Sequence, residues 1–138
     1  MLFDTIINAL SDLKRLSTMK NRILKDRLLQ AALLWNLYVV VQGTIDLALK
    51  IVSKLKLGIP TSYSDAFEIL YNHGAITDDL KERLLNMVKF RHILAHAYPK
   101  IDLNRILTDL DSDIKDIQDF LKQVERFLNK KGLSLTEL

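Results

Sequence analysis

The chain has no cysteine in 138 residues. That excludes a disulfide framework and any zinc ribbon, and makes a reducing cytoplasm its natural setting. Proline and glycine are scarce, at two and four residues, so long stretches run without a helix breaker. Most of those few sit where helices would end: Gly58 with Pro60, Gly74, Pro99 and Gly132. There is no credible strand alternation, no internal repeat, and no linker long enough to divide the chain. The opening segment MLFDTIINALSDLKRL carries an acid at Asp4 and no basic region ahead of an apolar run, so it reads as a first helix and not a signal peptide. The most apolar stretch, AALLWNLYVVV at 31–41, is far shorter than the roughly 20 residues of a membrane span. A soluble protein with no membrane partner is expected. Neither sign of charge dominates. The net charge of +3 permits an anionic partner such as RNA without demanding one.

What is present is an ordinary globular composition, 49% hydrophobic and 27% charged, in a length suited to one domain over residues 1–138. The periodicity predicts five helices, over about 3–17, 21–56, 63–72, 77–95 and 102–129. The second is apolar on nearly every side at its middle, which suggests burial against its own bundle and against another surface such as a partner subunit. Ser62 and Asp65 have capping-box spacing, and Thr77 is the expected N-cap of the fourth helix. In the fifth helix Ile106, Leu110, Ile114, Ile117, Leu121, Val124 and Leu128 step by three and four, one buried stripe. The fold class is all-α: an up-and-down four-helix bundle with one additional short helix.

The stretch RHILAHAYP, residues 91–99, gathers an arginine, two histidines and a tyrosine near the end of the fourth helix. On a wheel of about 100° per residue, Arg91 falls within roughly 20° of the centre of the apolar face made by Leu80, Leu84, Met87, Val88, Leu94 and Ala95, and Tyr98 lies almost along it. An arginine there is costly unless it is paired or lines a wet cleft. Both remain open: a buried ion pair, for which Asp46 is a candidate, or a cleft at a subunit edge. His92 and His96 have the i, i+4 spacing of two metal ligands, but no third ligand can be named, and no metal or other cofactor is expected. Arg91 and His96 lie roughly 140° apart around an ideal helix. They converge on one substrate only if the helix ends or distorts between them, or if two subunits contribute. An imidazole that moves protons beside a cation that stabilises charge on phosphorus is a reasonable kit for cleaving a phosphodiester.

The run from Arg91 to Tyr98 fits the pattern arginine, four residues, histidine, any residue, tyrosine. It resembles the signature of the HEPN-domain toxins of HEPN–MNT toxin–antitoxin pairs. The likeness continues through GIPTSYSDAFEILYNHGAITDDLKERLLNMVKF before the motif and PKIDLNRI after it, about residues 58–106 in all. The resemblance implies a HEPN-like bundle that forms a homodimer, with the motifs of two subunits facing a shared cleft. It also implies a cytoplasmic, metal-independent endoribonuclease, the toxin of a type II pair. Carried over, His96 assists attack by the RNA 2′-hydroxyl and Arg91 binds the scissile phosphate. Tyr98 matches the tyrosine to which the partner MNT nucleotidyltransferase antitoxin adds AMP. Such an addition would bring bulk and negative charge into the cleft.

One position departs from the family pattern: His92 stands where asparagine or another small polar residue is common. Histidine can keep that role, share proton transfer, or mark an inactive member. The alternative is therefore a HEPN subunit that binds a nucleotide or scaffolds the nucleotidyltransferase without cutting RNA. The bases Lys14, Arg15, Lys20, Arg22, Lys25 and Arg27, opposed only by Asp26, read either as an RNA-guiding patch or as a solvated helix end and turn. Trp35 and Tyr38 are expected in core or interface rather than as base-stacking platforms.

Overall fold

A computed structural model describes residues 2–96 and 101–138. Six helices occur among the described residues: α1 (Leu2–Leu16), α2 (Lys20–Ile23), α3 (Arg27–Lys54), α4 (Tyr63–Asn72), α5 (Asp78–His96) and α6 (Leu103–Asn129). A single 3₁₀ turn follows at Leu135–Glu137. The long helices α1, α3, α5 and α6 close a ring in which each touches its two neighbours, and α4 lies across α3 and α5. This is the expected all-α bundle with its short extra helix.

The expected second helix, 21–56, is in fact two. Asp26 leaves the helical region (φ −130°, ψ 111°) and its carboxylate accepts from the backbone N–H of Leu28 and Leu29. A short acid that can cap a new helix competes with continuing the old one, so α2 stops and α3 starts afresh. Gln30 bridges the joint, its Nε2 donating to the carbonyl of Ile23 at 2.9 Å. The other starts follow the sequence. Ser62 Oγ accepts from Asp65 N–H at 3.0 Å, while Asp65 reaches back one residue further than a standard box, to Thr61 N–H at 2.9 Å. Thr77 Oγ1 accepts from Leu80 N–H at 3.3 Å. Gly74 ends α4 with φ +78°, the left-handed turn that lets Ala75 N–H reach the carbonyl of Leu70 at 2.9 Å.

All seven residues of the expected α6 stripe are buried, and Phe120 from the same helix meets Phe67 of α4 edge to face at 5.8 Å. Helices α1 and α3 pack tightly at Gly43, where an added Cβ would lie 2.8 Å from Ile6 Cγ1. By length and composition α3 is apolar enough to cross a membrane. Many of its apolar residues are used internally: Leu33, Leu37, Val40, Ile45, Ala48, Ile51 and Val52 are fully enclosed by the bundle.

Candidate functional site

Ion pairs to both sides hold α5. Toward α6, Arg83 pairs with Asp116 and Asp119, and along its own helix with Asp79. Burial alone would lower the Arg83 pKa, but the carboxylates of Asp116 and Asp79 outweigh it and raise it. Toward α4, Lys81 lies 3.6 Å from Glu68 and 3.2 Å from Asp78, with its ammonium 4.5 Å from the centre of the Tyr71 ring. Lys81 is only 8% exposed, tolerable because Glu68, Asp78, Glu82 at 3.2 Å and the ring surround its charge. Sequence periodicity gave no hint of it. These anchors set the rotation of α5, and so the directions in which the motif residues leave it.

Arg91 leaves toward α3 and α4 and is half-buried. Its Nε–H donates to Gln42 Oε1 at 2.8 Å, and Gln42 Nε2 in turn donates to Asp46 Oδ1 at 2.9 Å. The guanidinium carbon lies 5.8 Å from the Tyr38 ring centre and 5.7 Å from that of Tyr63, within cation–π range of both. Of the two readings left open, the direct pair with the candidate Asp46 is not formed: Gln42 is interposed and makes a relay. Gln42, Tyr38 and Tyr63 are site residues that sequence reasoning missed. The i, i+4 spacing of Gln42 and Asp46 was legible, but nothing local links either to an arginine 49 positions on.

His92 and His96 are exposed on the next side of α5, their ring centres 4.7 Å apart at an interplanar angle of 61°. Among the described residues no three His, Cys, Asp or Glu side chains gather to hold a metal. Tyr98 lies outside the described residues. Helix α5 runs unbroken through His96, one residue past its expected end. The helix therefore does not end or distort between Arg91 and His96. Ala95, expected on the buried face, is exposed, while Leu80, Leu84 and Leu94 are buried as expected.

On the exposed side of α3, Trp35 is 64% accessible and stacks on Tyr38, ring centres 6.1 Å apart. It is not in the core of this chain. Leu28, the second residue of α3, is 83% exposed. Of the basic group, Lys20 is engaged, donating to Asp111 of α6 at 2.9 Å. Lys14, Arg15, Arg22, Lys25 and Arg27 are exposed.

Between α5 and α6 there is a cavity of about 770 Å³, floored by Leu13, Leu37, Val40 and Val41 and edged by Phe90, Ile93 and Asp113. Burial pushes the Asp113 carboxyl up to about 7, helped by repulsion from Asp109 and Asp116. Arg91 and the histidines do not line this cavity.

Residues 6–124 match the family model described as Ribonuclease HepT-like. The mRNA nuclease HepT of Shewanella oneidensis is 28% identical over 129 residues, an alignment that covers 88% of this chain and 97% of that protein. The tRNA nuclease HepT of Aphanizomenon flos-aquae is 26% identical over 113 residues, covering 82% and 71%. Among solved structures, the tri-AMPylated Shewanella oneidensis HEPN toxin in complex with its MNT antitoxin superposes with a TM-score of 0.71 at 28% identity, over 89% of this chain and 98% of that one.

Proposed function

The chain belongs to the Ribonuclease HepT-like family, and from that premise we propose that it is a toxin endoribonuclease that cuts RNA without a metal ion. The observation that carries the reading is the state of Arg91: a guanidinium fixed by Gln42 and two tyrosine rings, with no carboxylate paired to it among the described residues. A cation held in this way is suited to a phosphate. His96 takes the proton of the RNA 2′-hydroxyl as that oxygen attacks phosphorus. Arg91 stabilises the charge that builds on the non-bridging oxygens, and the 5′-oxygen leaves, taking a proton from water. The products are a 2′,3′-cyclic phosphate and a 5′-hydroxyl. His92, one ring away from His96, can hold or relay the same proton.

The cleft is formed by two copies of the chain. Five residues of unbroken helix put Arg91 and His96 roughly 7 Å apart along α5 and about 140° around it, so one protomer's α5 does not aim both at one phosphate. The exposed side of α3, with Leu28 and Trp35 uncovered beside Tyr38, offers apolar surface for the second copy. Tyr98 completes the sequence pattern, and AMP added to its phenol oxygen by an MNT-type partner would bring bulk and negative charge that oppose RNA phosphate. The AMPylated relative was solved bound to such a partner. The complex acts in the cytoplasm.

The test is RNA cleavage by the purified protein in EDTA, beside Arg91→Ala and His96→Ala, with product ends analysed and the dimer checked by sedimentation. Cleavage by the parent alone, leaving cyclic phosphate ends, is expected. An intact, unmodified dimer that cuts no RNA would instead favour the scaffolding subunit, with His92 as the altered position.

A further inference from the structure

We propose that Gln42 is a positioning residue that holds Arg91 ready for phosphate and keeps Asp46 from neutralising it; the inference rests on the ribonuclease reading of the site. Arginine can grip two phosphate oxygens side-on, through Nε–H and one terminal nitrogen, or end-on, through its two terminal nitrogens, and a partner on Nε–H leaves the end-on fork. Gln42 takes the Nε–H at 2.8 Å. The two terminal nitrogens have no hydrogen-bond partner among the described residues, and the guanidinium carbon lies 5.8 and 5.7 Å from the Tyr38 and Tyr63 ring centres. One bond ties the guanidinium at Nε, with two rings close by. The gripping edge stays free.

The relay explains why this residue is an amide and not an acid. A carboxylate only accepts and a guanidinium only donates, so a single orientation of the Gln42 amide satisfies both neighbours: oxygen to Arg91, nitrogen to Asp46. Asp46 is exposed and sits one helical turn along α3. It orients Gln42, while the neutral amide stands between the acid and the cation. A glutamate at position 42 would instead form an ion pair with Arg91 and compete with phosphate for it.

Two near-isosteric replacements therefore fail differently. Gln42→Met keeps the shape and loses the acceptor; kcat should fall about tenfold or more with KM changed less than about twofold, since the fork must be ordered during the reaction. Gln42→Glu keeps the acceptor and adds charge; KM should rise about tenfold with a smaller change in kcat, and that rise should shrink in high salt. A residue needed only for packing would move both variants together through stability, which thermal melts of the same samples measure. The holding itself is read without RNA, from the hydrogen exchange of the Arg91 Nε–H in nitrogen-labelled protein. It should be protected in the parent and in Gln42→Glu, and exposed in Gln42→Met. Unchanged protection in Gln42→Met, or unchanged kcat once protection is lost, overturns the proposal. If the parent cuts no RNA, the ribonuclease reading fails by itself; an unprotected Nε–H in the parent then overturns the holding of Arg91 as well.

Discussion

Replacing Asp113 by asparagine should stabilise the protein, and only above mildly acidic pH. Asp113 lies on α6 between Asp109 and Asp116, at the edge of the cavity whose floor is Leu13, Leu37, Val40 and Val41. Asp116 is engaged by Arg83 and Asp109 lies 3.8 Å from Arg105, whereas Asp113 has no ion pair among the described residues. Its carboxyl is pushed up from 3.8 to about 7, first by burial and then by the two neighbouring acids. The folded state therefore holds its proton over a range in which the unfolded chain releases it. Below about pH 4 the group is protonated in both states and costs nothing. As pH rises toward 7 the unfolded chain gains by ionising and the folded protein does not, so stability is lost across that window.

At about 1.4 kcal/mol per pH unit, a rise of this size corresponds to at most about 4 kcal/mol. Part of it is repulsion from acids near the surface, which solvent and salt screen, so about 1–2 kcal/mol is expected from Asp113→Asn at pH 8. Urea unfolding at fixed protein concentration, at pH 4, 6 and 8, reads the difference directly. The two proteins should coincide at pH 4 and separate by pH 8. Burial is the larger cause, so most of the separation should survive 1 M NaCl. Parallel stability across the range would refute the argument, and a gap abolished by salt would reassign it to Asp109 and Asp116.

Two backbone positions give further tests. Gly43→Ala should cost about 1–3 kcal/mol in denaturant unfolding, because the new methyl meets Ile6 Cγ1 at 2.8 Å where α1 crosses α3. Lys56→Gly should gain about 0.5–1 kcal/mol in the same assay, since Lys56 sits at φ +53° beyond the end of α3, a conformation that costs a side-chain-bearing residue and not glycine.

How much of this was legible beforehand depends on the range of the interaction. Local chemistry read well: the Ser62 and Thr77 caps, the α6 stripe and the turn at Gly74 each rest on residues within one helical turn of one another. The misread boundary, the joint at Asp26, turned on a local competition as well. There an acid flanked by helix formers was treated as part of a basic run, when its cap bonds to Leu28 and Leu29 start a new helix. Long-range partners were illegible. Periodicity could place Arg91 on an apolar face and say that it needed company, but many acids and amides could have served. Asp46, the nearest charge of the right sign on α3, was the natural choice. The structure puts the amide one turn earlier in that position, and the difference matters for function. An arginine paired to an acid is a strut, whereas one held by an amide keeps its charge available.

The same distinction separates the two sides of α3. Its sequence is apolar almost all the way round, so composition alone could not say which side faces its own bundle. The structure divides it: Leu33, Leu37, Val40 and Ile45 turn inward, while Leu28 and Trp35 remain uncovered and lead along the helix to Tyr38, Gln42 and Arg91. An exposed apolar stripe that ends beside Arg91 would, under the proposed dimer, tie association to chemistry. A second copy that covers Trp35 and reaches Arg91 would exclude water from the fork and strengthen its hold on a phosphate. Disrupting that stripe should then lower RNA cleavage even where every motif residue is intact. Trp35→Glu is the direct trial: a monomer by sedimentation that still cuts at the parent's rate would separate the stripe from the chemistry and return both groups to one protomer.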